Sequence, residues 1–150
     1  WCNNYVPILN CSDDDLQVID DIISLNNIEY LDYFGGPYNY MDWNGNDVID
    51  PIEFGYQEWE NSRLKEFRLF PNFHEGVYQF GNFVIHSIPE SIENLNNLTV
   101  LNLSGNSLIS LPESICNLPS SVEINVSGNN LCEEYHYDCI DIWGEQDCQP

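Results

Sequence analysis

The sequence predicts an α/β solenoid, a short stack of repeats held between a helical N-terminal cap and a disulfide-closed C-terminal cap. Three observations carry that prediction. Segments 98–118 and 122–140 say nearly the same thing at a shift of 23 residues. Residues 12–25 place apolar side chains at helical spacing. Six cysteines, at 2, 11, 116, 132, 139 and 148, gather at the two ends of the chain.

The repeat is the strongest signal. A shift of 23 residues carries Asn106 onto Asn129, Leu101 onto Ile124, Leu103 onto Val126 and Leu108 onto Leu131. One period upstream, "IPESIENL" (88–95) nearly reproduces "LPESICNL" (111–118). Leu101 and Leu103 flank Asn102, so a strand buries the leucines on one face and turns the asparagine to the other. Leu98, Leu101, Leu103, Asn106 and Leu108 together meet the pattern L-x-x-L-x-L-x-x-N-x-L, which resembles the leucine-rich repeat. The resemblance implies a stack of rungs with the aliphatic side chains inside. It also implies that the amide at the Asn106 position satisfies backbone groups where the chain leaves its strand. Pro89 and Pro112 would open the return segments.

An earlier rung is expected at "RLKEFRL" (63–69), with Leu64, Phe67 and Leu69 inward and Asn72 at the asparagine position. Phe67 to Leu101 is one period plus an insertion. The other register makes Tyr78 and Phe80 the strand. About three rungs then fill 63–131, the first enlarged. Such a stack buries its apolar faces only against neighbours, so both ends need lids, and 1–62 and 132–150 supply them. "SDDDLQVIDDIISL" (12–25) predicts a helix with Leu16, Ile19, Ile22 and Ile23 on one face, capped by Ser12 or Asp13. Residues 53–64 predict a second, shorter helix.

On the stacked reading, Cys116 and Cys139 lie one period apart, and equivalent positions of adjacent rungs are within disulfide reach. Cys132 with Cys148 would close the C-terminal cap, and Cys2 with Cys11 a small N-terminal loop. Cys116 with Cys132 is the competing pairing, and spacing alone does not decide between them. Disulfides at this density point to an oxidising, extracellular compartment. A chain beginning at Trp1, with no leader ahead of it, fits a secreted mature product.

Charge bounds the partners. Twenty-five acidic residues against three basic ones give −22, and residues 1–62 hold no Lys or Arg. Such a surface repels nucleic acid and anionic lipid, and no run is apolar enough to insert into a membrane. It attracts cations. "DWNGNDVIDPIE" (42–53) resembles an EF-hand or dockerin-type calcium loop, which implies Asp42, Asn44, Asn46, Asp50 and Glu53 as side-chain ligands with the Val48 carbonyl. Asp47 departs from the pattern at the position usually held by Gly, and an acidic turn without metal is the competing reading.

Asn10, Asn97, Asn102 and Asn125 begin N-x-Ser/Thr sequons, candidate glycosylation sites. Asn102 and Asn125 are one period apart and should share an outward, concave face with Arg68. Bare asparagines forming a polar ladder are the alternative there, and Arg68 could simply offset Glu66. Catalytic signals are weak: three scattered histidines, no H-E-x-x-H and no G-x-S-x-G. "EEYHYDC" (133–139) offers His136, Glu134 and Asp138 to a metal, or is a solvated cap loop. The expected function is therefore non-enzymatic. One reading is a glycosylated subunit assembling with copies of itself into an extracellular fibre or coat, its aromatics in 28–43 covered by a neighbour. The other is a monomeric module that binds a protein or glycan on its concave face.

Overall fold

The structure is a computed structural model, and it describes residues 11–28, 48–69 and 83–149. Helix α1 runs from Asp13 to Leu25. Ser12 at its N-cap is extended, and Asp13, Asp14 and Asp15 occupy the first turn, where the helix dipole favours negative charge. The buried face is Asp15, Val18, Ile19, Ile22 and Ile23, not the stripe through Leu16. Leu16 is half-buried because Asp15, roughly 100° around the helix, takes the centre of the packed face.

A carboxylate can sit there only if it is fully partnered. Asp15 is completely buried, and its oxygens accept hydrogen bonds from Arg63 Nη2 at 2.7 Å, Arg63 Nε at 2.9 Å and the Leu64 N–H at 2.8 Å. The hydrogen bond to Asp15 holds the Arg63 guanidinium above its ordinary pKa, against the opposing pull of desolvation. A raised pKa favours the protonated form in the folded state, so while Asp15 is ionised this contribution is present below the ordinary arginine value and is lost as pH rises through the raised one. At the other end of α1, Asn26 donates to the Ile22 and Ser87 carbonyls and accepts from the His86 and Ser87 N–H groups. One side chain thus caps the helix and ties it to the extended segment that precedes the repeats.

Residues 53–64 do not form the second helix expected of them. Pro51–Glu53 makes a short 3₁₀ turn, and then the chain enters a hairpin of β1 (Tyr56–Glu60) and β2 (Arg63–Arg68). The deciding feature is the two-residue connection: Asn61 and Ser62 have φ of 51° and 69°, the left-handed pair that suits a tight hairpin. Tyr56, Glu58 and Glu60 alternate outward while Gln57 and Trp59 are half-buried, a period of two.

Two short strands complete the sheet, β3 (Val100–Asn102) and β4 (Glu123–Asn125), in the order β1-β2-β3-β4. The sheet is mixed. β1 pairs antiparallel with β2, whereas β2, β3 and β4 run parallel, with Phe67 opposite Leu101 and Leu101 opposite Ile124. The hairpin therefore replaces a further parallel strand at this edge, and it places Glu58 and Glu60 along the rim, where charge discourages edge-to-edge pairing.

Beneath the sheet the core repeats every 23 residues. Leu101, Leu103 and Leu108 are buried above Ile124, Val126 and Leu131. Pro89 and Pro112 each precede a 3₁₀ turn, Glu90–Asn94 and Glu113–Asn117, that buries Ile92 or Ile115. Residues 141–147 then add a further extended segment on the open side of β4. Ile142 bonds through its N–H to the Ile124 carbonyl and through its carbonyl to the Val126 N–H, and Asn129 bridges Gln146 in parallel. This last turn spans 17 residues from Asn129 to Gln146 instead of 23, so its backbone must bend sharply. Gly144, at φ 64°, sits where any Cβ would overlap Ser127.

Two disulfides fasten this end. Cys116 bonds Cys139 with Cα atoms 5.4 Å apart, and Cys132 bonds Cys148 at 5.0 Å. Cys11 is also disulfide-bonded, and Cys2 lies outside the described residues. Asn72 and the alternative strand at Tyr78 and Phe80 lie outside them too.

Because Arg63 supplies two of the three donors on a buried carboxylate, Arg63→Ala should lower the unfolding free energy by about 3 kcal/mol, read by urea denaturation. A loss under about 1 kcal/mol would mean that α1 is held by its apolar contacts alone.

Candidate functional site

Two columns of asparagine cross the sheet, and they do different work. The first is buried. Asn106 Nδ2 donates to the Leu69 and Leu103 carbonyls at 2.6 and 3.0 Å, while its Oδ1 accepts from the Ile85 N–H at 3.1 Å. Asn129 repeats the set one period on: Nδ2 to the Leu103 and Val126 carbonyls at 3.0 and 2.8 Å, Oδ1 from the Leu108 N–H at 3.0 Å. Gln146 continues the series in the shortened turn, donating to the Val126 and Trp143 carbonyls and accepting from the Leu131 N–H. Each amide joins two successive turns of the chain. This column is structural.

The second column lies on the opposite face of the sheet. Register places Tyr56 beside Arg68, Arg68 beside Asn102, Asn102 beside Asn125, and Asn125 beside Ile142. Five side chains on five adjacent segments therefore form one row, about 19 Å long at the usual spacing of strands. Tyr56 and Ile142, both exposed, stand at its ends. Arg68 lies 5.9 Å over the Tyr56 ring, and its Nη2 and Nε bind Glu66 Oε2 at 2.7 and 3.2 Å. Arg68 is thus already offset by Glu66, and the pair is too exposed to add much stability.

Asn102 and Asn125 are half-buried, and each folds its side chain onto a neighbouring serine. Asn102 Oδ1 accepts from the Ser104 N–H and hydroxyl at 3.0 and 2.7 Å, and Asn125 Oδ1 accepts from Ser127 in the same way at 3.0 and 2.8 Å. The oxygens are engaged, while the Nδ2 groups donate to no acceptor among the described residues. A second row runs alongside the first: Glu58, Glu66, Val100 and Glu123. The face therefore combines an aromatic, a guanidinium, two amide donors, three carboxylates and an aliphatic end. It can donate and accept hydrogen bonds and attract cations, and among the described residues it holds no nucleophile beside a base.

The remaining candidates are spread out. Asn97 is exposed ahead of β3, and Asn10 lies outside the described residues. Of the calcium-loop residues, Asp42, Asn44 and Asn46 lie outside them, Val48 is exposed, and Glu53 is buried with its carboxylate accepting the Asp50 N–H at 3.1 Å. Among the described residues, no three of His, Cys, Asp and Glu converge as a metal site. His136 stacks on Trp143 with ring centroids 4.4 Å apart and lies 3.3 Å from Glu133. A shallow groove beside the Cys116–Cys139 bond is lined by Glu113, His136, Tyr137 and Asp138. Burial pushes the Tyr137 phenol above its usual pKa, and the nearby Glu113, Tyr135 and Glu90 push the same way.

Sequence reasoning missed Tyr56 as part of this face and the half-buried Gln146 as the continuation of the structural column. The Asn61–Ser62 turn was the available signal for Tyr56, since a hairpin there puts Tyr56 against Arg68. Gln146 carried no such signal, because its spacing breaks the 23-residue period.

Residues 81–131 match the family model of the leucine rich repeat. No curated protein and no solved structure matches the chain. The matched segment holds the parallel strands β3 and β4 and the buried Asn106 and Asn129. No helix of the described residues is long and apolar enough to cross a membrane.

The two columns should respond differently to the same change. Asn129→Ala leaves the buried Leu108 N–H without its acceptor and takes one of two amide donors from each of the Leu103 and Val126 carbonyls, and should cost about 1–3 kcal/mol in urea denaturation. Asn102→Ala removes only a local turn on the outer face, and should cost under about 1 kcal/mol. Equal losses would contradict the division.

Proposed function

We propose that the chain is a secreted, non-enzymatic recognition module. In this reading the leucine-rich repeats and the 141–147 segment form a short solenoid that binds a protein partner with a basic surface across the row Tyr56, Arg68, Asn102, Asn125 and Ile142. The observation that carries the reading is that row, in which two amide donors with no acceptor among the described residues lie between an exposed aromatic and an exposed aliphatic end. Charge narrows the partner: Glu58, Glu66 and Glu123 flank the row on a chain of −22, so a basic surface is attracted and an acidic one repelled. Repeats of this kind suggest protein interaction, and the disulfides suit an oxidising compartment. Assembly into a fibre or coat draws on the aromatics of 28–43, all of which lie outside the described residues, whereas the module draws on a row that the described residues form.

We also propose a calcium ion held by Asp42, Asn44, Asn46, the Val48 carbonyl, Asp50 and Glu53. Its support is the order of oxygen ligands in the sequence, together with a Glu53 carboxylate already anchored to the Asp50 N–H.

Surface plasmon resonance of unglycosylated chain against a panel of basic extracellular domains tests the module. A binder should weaken at least about tenfold on Asn102→Arg and be untouched by Ile109→Arg, since Ile109 is exposed away from the row. No binder, or a binder indifferent to Asn102→Arg, would overturn the reading, as would light scattering that shows calcium-driven growth into large particles. For calcium, the expected result is a higher unfolding temperature in millimolar calcium that Asp42→Ala removes. An unfolding temperature indifferent to calcium would eliminate the ion.

A further inference from the structure

The two asparagine columns differ in sequence as they do in structure. Asn106 and Asn129, whose Nδ2 groups are committed to carbonyls, are not followed two residues later by Ser or Thr. Asn102 and Asn125, whose Nδ2 groups have no acceptor among the described residues, are followed by Ser104 and Ser127, and those hydroxyls hold the Oδ1 atoms at 2.7 and 2.8 Å. Each sequon is thus set with its oxygen anchored and its nitrogen unclaimed. A substituent on that nitrogen breaks no hydrogen bond within the fold. The same substituent on Asn129 would displace an amide hydrogen committed to the Leu103 or Val126 carbonyl.

We infer that Asn102 and Asn125 are acceptor sites for N-linked glycans, and that a sugar on either covers the binding row. The transfer forms a bond between Nδ2 and the anomeric carbon of a glycosyl diphosphate donor. The anomeric carbon–oxygen bond breaks, the diphosphate leaves with its electron pair, and one amide proton passes to a base of the transferring enzyme. The asparagines stand side by side on β3 and β4, about 4.8 Å apart. A pyranose is about as wide as that spacing, so one glycan on Asn102 or Asn125 overlies the neighbouring strand and the flanking Arg68 and Ile142. The modification would then regulate the face; that second half rests on the proposed binding function, and the first half does not.

The test is secretion of the full chain from a eukaryotic host, followed by enzymatic removal of N-glycans in oxygen-18 water and peptide mapping. Oxygen-18 aspartate is expected at 102 and 125. Ser104→Ala and Ser127→Ala should each erase their own label, and Ser104→Thr should keep it. Unmodified asparagine at both positions would overturn the inference, whether or not Asn97 is labelled. Hydroxyl-radical footprinting reads coverage without any partner. Oxidation of Tyr56 and Ile142 should be severalfold slower with the sugar than after its removal, and equal rates would overturn the coverage claim. Loss of partner binding by unglycosylated chain concerns the proposed function alone, so the two failures are separable.

Discussion

Where the chain leaves each strand and turns outward, its backbone amides and carbonyls are buried between neighbouring turns, and something other than water has to satisfy them. Asn106, Asn129 and Gln146 do so, each reaching into the turn before it as well as its own. Everything else in the repeat region depends on that requirement being met. It keeps the turns in register, which puts Leu101 over Ile124 in the core. The same register aligns Arg68, Asn102 and Asn125 on the outside. A face with functional groups in a row follows from a stack whose interior admits one spacing.

The repeats were legible because period is a signal that composition cannot blur. Aliphatic residues at fixed intervals, with an asparagine at a fixed offset, specify both which side chains go inside and which polar group must be buried with them. The N-terminal region was less legible for a definite reason. Asp15 reads as one of three acidic residues in a helix's first turn, and nothing local says that Arg63, 48 residues away, will neutralise it. A packed face centred on a carboxylate defeats a search for apolar stripes. Residues 53–64 were misread as helix because Gln57, Glu58 and Glu60 suit a helix as well as a strand, while the decisive left-handed turn at Asn61–Ser62 is two residues long. Gln146 was hidden because a disulfide-bound, 17-residue turn replaces the regular period.

The strongly acidic surface and the sparse catalytic inventory belong together. Carboxylates are abundant, yet those on the sheet face are dispersed along a strand-spaced row instead of converging with a base and a nucleophile. On the proposed function, such a face would recognise its partner by matching charge and hydrogen-bond pattern over length. The structural asparagines are sealed inside and the sequon asparagines stand outside, so the exposed face can vary, or carry sugar, without touching the bonds that hold the turns together.

Native-state hydrogen exchange at single-residue resolution tests the central claim most directly. The account predicts that the Ile85, Leu108 and Leu131 amides, each bonded to a side-chain oxygen of the buried column, exchange only through global unfolding. Exchange of those three amides at the rate of exposed loops, in a chain whose β3 and β4 amides stay protected, would contradict it.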